Sequence, residues 1–129
     1  MMGRDELADA YRAYIGCLNA QDWDALPSHV ADDVRYNGTD VGIDGYRDML
    51  VADFRAIPDL RFDVALLVCE PPTIASRLAF DCTPAGELFG LPVNGRRVRF
   101  EENVFYEFGM GRIRAVWSVI DKAGVAAQI

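Results

Sequence analysis

Apolar residues recur every three or four positions over residues 4–20, at Leu7, Tyr11, Tyr14, Ile15 and Leu18, which predicts an amphipathic helix. Asp5 and Glu6 fall in its first turn, where the helix dipole favours negative charge. Asn19-Ala-Gln-Asp22 breaks the pattern. Trp23, Leu26 and Val30 then suggest a second, shorter helix, although Pro27 lacks the donor an interior helical position needs. A short strand over 33–38 ends in turn residues Asn37, Gly38 and Asp40. A third helix is expected over 44–57, with Asp44 as its N-cap, a stripe of Tyr46, Leu50, Phe54 and Ile57, and Pro58 as its stop.

From there the period shortens from about 3.6 to 2, the repeat of a pleated strand with one face buried. Leu60, Phe62, Val64, Leu66 and Val68 alternate, and Glu70-Pro71-Pro72 closes that strand. Ile74, Ser76, Leu78, Phe80 and Cys82 share one face of the next. A loop containing Gly86, Gly90, Pro92 and Asn94-Gly95 leads to a strand over 96–108. Gly109-Met110-Gly111 then turns into the last strand, 112–121. The order α-α-β-α-β-β-β-β predicts an α+β architecture, with helices packed on one face of a curved sheet joined by long antiparallel hairpins.

At 129 residues the chain is expected to form one domain, 1–129, and 51% hydrophobic residues are enough for a core without staples. Thirteen basic against twenty acidic residues give a net charge of −7, which argues against nucleic acid and against anionic membranes. No signal peptide is evident, and the longest apolar run, 64–69, is far too short to span a bilayer. Cys17, Cys69 and Cys82 are odd in number and lack metal-ligand spacing, so reduced thiols in a cytoplasmic protein are expected. Neither a phosphate-binding loop nor a metal constellation is present, and the single His29 has no nucleophile motif near it.

Alternation exposes the candidate chemistry, because a polar residue on an apolar strand face needs a reason. Val98, Phe100, Glu102, Val104, Tyr106 and Phe108 share a face, and Glu102 interrupts it. Ile113, Ala115, Trp117 and Val119 lead to Asp121 on the final strand. If both sets face the concave side, two carboxylates enter one apolar cavity, an arrangement suited to acid/base work near neutral pH. The structural alternatives are an ion pair of Glu102 with Arg77, Arg97 or Arg99, and a capping role for Asp121 before residues 122–129. Tyr36 and Trp117 could equally be core aromatics, and Asn37 a turn residue.

Leu18-Asn19-Ala20-Gln21-Asp22, Val30-Ala31-Asp32-Asp33-Val34, Asn37-Gly38, Gly45-Tyr46 and Ile57-Pro58-Asp59-Leu60 resemble the SnoaL-like polyketide cyclase (ester cyclase) family. The distal half adds Leu88-Phe89-Gly90-Leu91-Pro92, Gly95-Arg96-Arg97-Val98, Phe105-Tyr106 and Val116-Trp117-Ser118-Val119-Ile120-Asp121. The resemblance spans nearly the whole chain. It implies an NTF2-like cone-shaped α+β barrel, three helices on a strongly curved antiparallel sheet, and a homodimer formed through the sheet's outer face. It also implies ring closure in a polyketide ester by intramolecular aldol condensation, without metal or cofactor, with an aspartate as acid/base; Asp121 carries over to that role. Histidines common in relatives are replaced here by Tyr36, Pro84 and Asn103, which excludes a histidine-assisted variant.

The expected function is thus a cofactor-independent enzyme acting on a small apolar carbonyl compound. Asp121 would move a proton α to the carbonyl. Asn37, with Tyr36 or a protonated Glu102, would stabilise the enolate oxygen. Phe80, Phe100, Tyr106 and Trp117 would wall the cavity, and Arg77 would contact substrate. The alternatives are a non-catalytic binder of a hydrophobic metabolite and an assembly protein using only the sheet face.

Overall fold

The computed structural model describes residues 2–129. Helix α1 (Arg4–Asn19) buries Leu7, Tyr11, Tyr14, Ile15 and Leu18, the stripe its sequence spacing predicts. It ends where the Asn19 side chain accepts from the Phe62 amide at 2.8 Å and donates to the Phe62 carbonyl at 3.0 Å. The expected second helix does not form. Leu26–Ser28 make a single 3-10 turn with Pro27 in its first positions, and Val30 already belongs to strand β1 (Val30–Tyr36). A three-residue element is what remains when a proline removes the donor that a longer helix would need.

Strand β2 (Thr39–Asp40) folds back on β1, and helix α2 (Gly42–Ala56) follows. Its N-cap is Val41, so Asp44 sits in the first turn, paired with Arg47, rather than capping the helix. The long strands are β3 (Asp63–Glu70), β4 (Thr73–Cys82), β7 (Val98–Gly109) and β8 (Arg112–Ile120). Between them lies a small hairpin, β5 (Glu87–Leu88) and β6 (Leu91–Pro92). A short helix α3 (Lys122–Ala126) closes the chain, so the third helix lies at the C-terminus rather than near residue 26.

The main sheet has the order β2-β1-β8-β7-β4-β3. Its neighbours are antiparallel except β1 and β8, which run parallel, so the sheet is mixed rather than wholly antiparallel. Helices α1 and α2 cover its concave face, and between sheet and helices lies a core that includes the fully buried Leu26, Ile74, Leu78, Val98 and Ile113. Full burial of such side chains contributes roughly 1.5–3 kcal/mol each.

Two bulges decide what faces that core. In β3 the register shifts between Val64 and Leu66, leaving Ala65 as an extra residue. The alternation therefore reverses: Leu67 and Cys69 pack inward, while Leu66 and Val68 are exposed. In β8 the register shifts where β7 passes from Glu107 to Phe108, and Arg114 is the extra residue. Beyond it Val116, Ser118 and Ile120 share a face with Tyr106, Val104 and Glu102, while Trp117 and Val119 turn outward. An inserted residue shifts a period-2 pattern by one and sends every later side chain to the other face.

Candidate active site

A cleft opens between α2, the inner sheet face and the β5–β6 loop. Its outer chamber encloses about 370 Å³ and is walled by Phe62, Phe80, Phe89, Phe100, Tyr36, Met49 and Ile120, with Asp53 and Glu102 as its acids. It narrows to an inner recess of about 50 Å³ lined by Tyr14, Tyr36, Tyr46, Tyr106, Asp53 and Glu102. Neither chamber has a Lys, Arg or His in its lining. Phe100 stacks on Phe80 with ring centres 5.0 Å apart, and Phe62 meets Phe80 edge-on at 5.3 Å. Phe89, from the loop, covers the mouth against Phe100, with the Lys122 ammonium 5.6 Å from its ring centre.

Glu102 projects from the middle of β7, flanked by Leu78 on β4 and Ile120 on β8. Ser118 Oγ donates to its Oε2. Ser118 is itself held by Asn37, whose Oδ1 accepts from the Ser118 amide at 2.8 Å. Burial pushes the Glu102 carboxyl above its ordinary range. Donation from Ser118 holds it down in part, and the negative charge of Asp53 pushes it further up. Asp53 stands on α2 at the rim, with much of its surface open to solvent. The protein around its carboxyl nevertheless raises it to about 6. Tyr14 and Tyr46 bond hydroxyl to hydroxyl at 2.6 Å, and burial raises both phenols, so they remain protonated donors.

Of the residues singled out in the sequence, Tyr36, Phe80, Phe100, Glu102 and Tyr106 come together around this cleft. The others do not. Asp121 is exposed and caps α3, its Oδ1 accepting from the Gly124 amide at 2.9 Å. A Cβ at position 124 would collide with that carboxylate. Trp117 turns to the outer face because of the Arg114 bulge. Arg77 also lies outside, its Nε donating to Asn103 at 2.9 Å. Asn37, at a positive φ of 49°, is exposed and ties β1 to β8 rather than lining either chamber. Nor does Glu102 form an ion pair: Arg97 and Arg99 both engage Asp81.

Sequence reasoning missed Asp53, Met49, Phe62 and Ser118. Asp53 could have been found, because it follows Tyr46 by seven residues and Met49 by four, on the inward face of α2. A larger hollow of about 640 Å³ lies elsewhere, around Pro71, Pro72, Phe108 and Met110, but among the described residues its one titratable side chain is Glu6. Among the described residues no group of three or more His, Cys, Asp or Glu could hold a metal ion, and Cys17, Cys69 and Cys82 are free thiols.

The helices, the curved sheet and the enclosed cleft define the NTF2-like cone fold. The chain belongs to the SnoaL-like polyketide cyclase family, whose sequence model matches residues 8–129. A SnoaL-like polyketide cyclase from Agrobacterium tumefaciens is 52% identical, with a TM-score of 0.93 over 95% of this chain and 96% of that one. TsrD from Streptomyces laurentii shares the fold at 22% identity and a TM-score of 0.87, over 99% of this chain and 97% of its own. IdmH from Streptomyces antibioticus does so at 21% and 0.82, over 94% and 96%. Among proteins of curated function, none matches. No helix among the described residues is long and apolar enough to cross a membrane.

Proposed function

We propose that this chain catalyses cofactor-independent enolisation of a small apolar carbonyl compound, leading to intramolecular aldol-type ring closure, with Glu102 as the base. One observation carries the reading. Glu102 is the carboxylate on the inner sheet face, oriented by Ser118 inside an aromatic chamber that has no cation to neutralise it. A carboxylate in such surroundings is a stronger base than one in water, and general-base catalysis is worth about 10²–10⁴-fold. Tyr36 and whichever of Tyr14 and Tyr46 accepts in their mutual hydrogen bond supply donors for the oxygen that gains charge. The aromatic walls suit a flat, largely apolar ligand and keep water away from the enolate.

The test is hydrogen–deuterium exchange at the methyl group of acetophenone, followed by NMR. Wild-type protein should accelerate exchange, and Glu102→Gln should lose that acceleration with an unchanged melting temperature. Exchange that survives in Glu102→Gln would remove the mechanism. A second reading, storage of a hydrophobic metabolite, draws on the replacement of the family's histidines by Tyr36, Pro84 and Asn103. It predicts tight binding of an aryl ketone with no exchange in any variant.

The same proposal extends to a homodimer. Leu66, Val68, Phe105, Trp117 and Val119 leave an apolar patch on the outer sheet face, with Phe105 directly opposite Trp117. Sedimentation should give a dimer that Phe105→Arg converts to monomer; a wild-type monomer at high concentration would rule it out.

A further inference from the structure

Aldol chemistry needs two proton-carrying groups, because carbon loses a proton while oxygen gains one. We infer that Asp53 is the second group, the acid that protonates the carbonyl oxygen as Glu102 takes the proton from carbon. This rests on the enolisation reading above.

Asp53 and Glu102 are the two carboxylates that line both the outer chamber and the inner recess, one from helix α2 and one from strand β7. They therefore face a common space from opposite walls, as a base at carbon and an acid at oxygen must. Glu102 is anchored through one oxygen by Ser118, which leaves the other free to receive a proton. No hydrogen bond or ion pair among the described residues engages the Asp53 side chain, and it stands at the solvent-facing rim, where its proton can be replenished. Asp53 also lies in the last turn of α2, whose partial negative charge disfavours the ionised carboxylate. The other titratable groups facing the pair are the phenols of Tyr14, Tyr36, Tyr46 and Tyr106, all driven further toward the neutral form by burial.

The sequence of transfers balances. The resting pair carries one proton, on Asp53. Glu102 removes the α-proton, the C–H pair becomes the enol C=C bond, and the carbonyl oxygen takes the proton of Asp53. The enol carbon then attacks the second carbonyl of the same molecule. A C–C bond forms, the enol O–H proton returns to Asp53, and the new alkoxide takes the proton from Glu102. Both groups end as they began, and the product is an isomer of the substrate.

This arrangement predicts a basic limb in the pH–rate profile near 6, set by Asp53, beside an acidic limb set by Glu102. The experiment is carboxyl-carbon NMR of the full chain across a pH titration, wild type against Asp53→Asn, together with acetophenone exchange. Asp53→Asn should lower the Glu102 midpoint, abolish the basic limb and slow exchange by about 10²–10⁴-fold, and Asp53→Glu should restore part of the rate. A Glu102 midpoint that is raised in the wild type and unmoved by Asp53→Asn, or a basic limb that persists, would overturn the role of Asp53 and leave Glu102 standing. A Glu102 that titrates as an ordinary surface acid in the wild type would take both readings down.

Discussion

Tyr106 and Glu102 project from the same face of β7, four residues apart, and both line the inner recess, yet their polar groups are partnered in different ways. Around Tyr106 the polar groups close on one another. Tyr11 donates to Ser76 Oγ at 2.8 Å and approaches the Tyr106 hydroxyl at 3.4 Å, and the two rings lie 4.9 Å apart. Ser76 is only 4% exposed, yet among the described residues no buried side-chain nitrogen or oxygen lacks a partner. Around Glu102 the protein stops short: one oxygen is bonded, the second carboxylate is unpaired, and space is left beside both. The first arrangement stabilises the fold. The second keeps a group reactive, because a carboxylate that is buried and only partly hydrogen-bonded is a stronger base than one in water. Partial satisfaction beside a cavity, more than polarity alone, separates the working cluster from the structural one.

The contrast can be broken from either side. The largest effect belongs to Glu102→Gln, a loss of about 10²–10⁴-fold in acetophenone exchange with no loss of stability. Tyr11→Phe should do the reverse. It leaves the Ser76 hydroxyl buried without its partner, costs about 1–3 kcal/mol in denaturant unfolding, and leaves exchange intact. A large fall in exchange would show that the two clusters are not separate. Asp121→Ala removes the α3 cap and should cost about 0.5–2 kcal/mol, again with exchange unchanged. Lost exchange at normal stability would return Asp121 to the chemistry.

Two finer effects concern protons. Ser118→Ala deletes the donor that holds Glu102 down, so its acidic limb should move to higher pH. A stationary limb would mean that the hydroxyl does not tune the base. Asp53, raised from 3.8 to about 6, binds its proton more tightly folded than unfolded. Its contribution to stability is therefore complete below about pH 4 and lost as the pH rises through 6. Thermal unfolding of Asp53→Asn should lack that decline, and identical pH profiles for the two proteins would contradict it.

The sequence carried much of this. Leu7 to Leu18 and Val98 to Phe108 are long, strongly periodic runs, and their buried faces follow directly from that spacing. Glu102 was legible for the same reason, as the one break in a clean alternation. Asp121, Trp117 and Val119 were misplaced because period-2 reasoning assumes an unbroken pleat, and nothing in Arg112-Ile113-Arg114-Ala115 marks the bulge. The short helix expected around Trp23 to Val30 gave way to Pro27. Asn37 and Arg77 were read as site residues because their polarity was visible but their direction was not. Asp53 stayed hidden as one acid among twenty, distinguishable only by its phase on α2.

Arg114 offers a last consequence, one of insertion and deletion rather than substitution. Its side chain pairs with Glu107 at 3.2 Å on the surface and could be exchanged with little loss. Its backbone is expendable in the same sense, because removing that single residue would let β8 pair with β7 without interruption, Ile113 still opposite Phe108 and Ala115 still opposite Glu107. Val116, Ser118 and Ile120 would keep their places opposite Tyr106, Val104 and Glu102, and Trp117 would stay on the outer face with its emission unmoved. A lineage, or an engineer, could thus drop one codon from the last strand and keep the reaction chamber, because the bulge is surplus to the ladder on both of its sides.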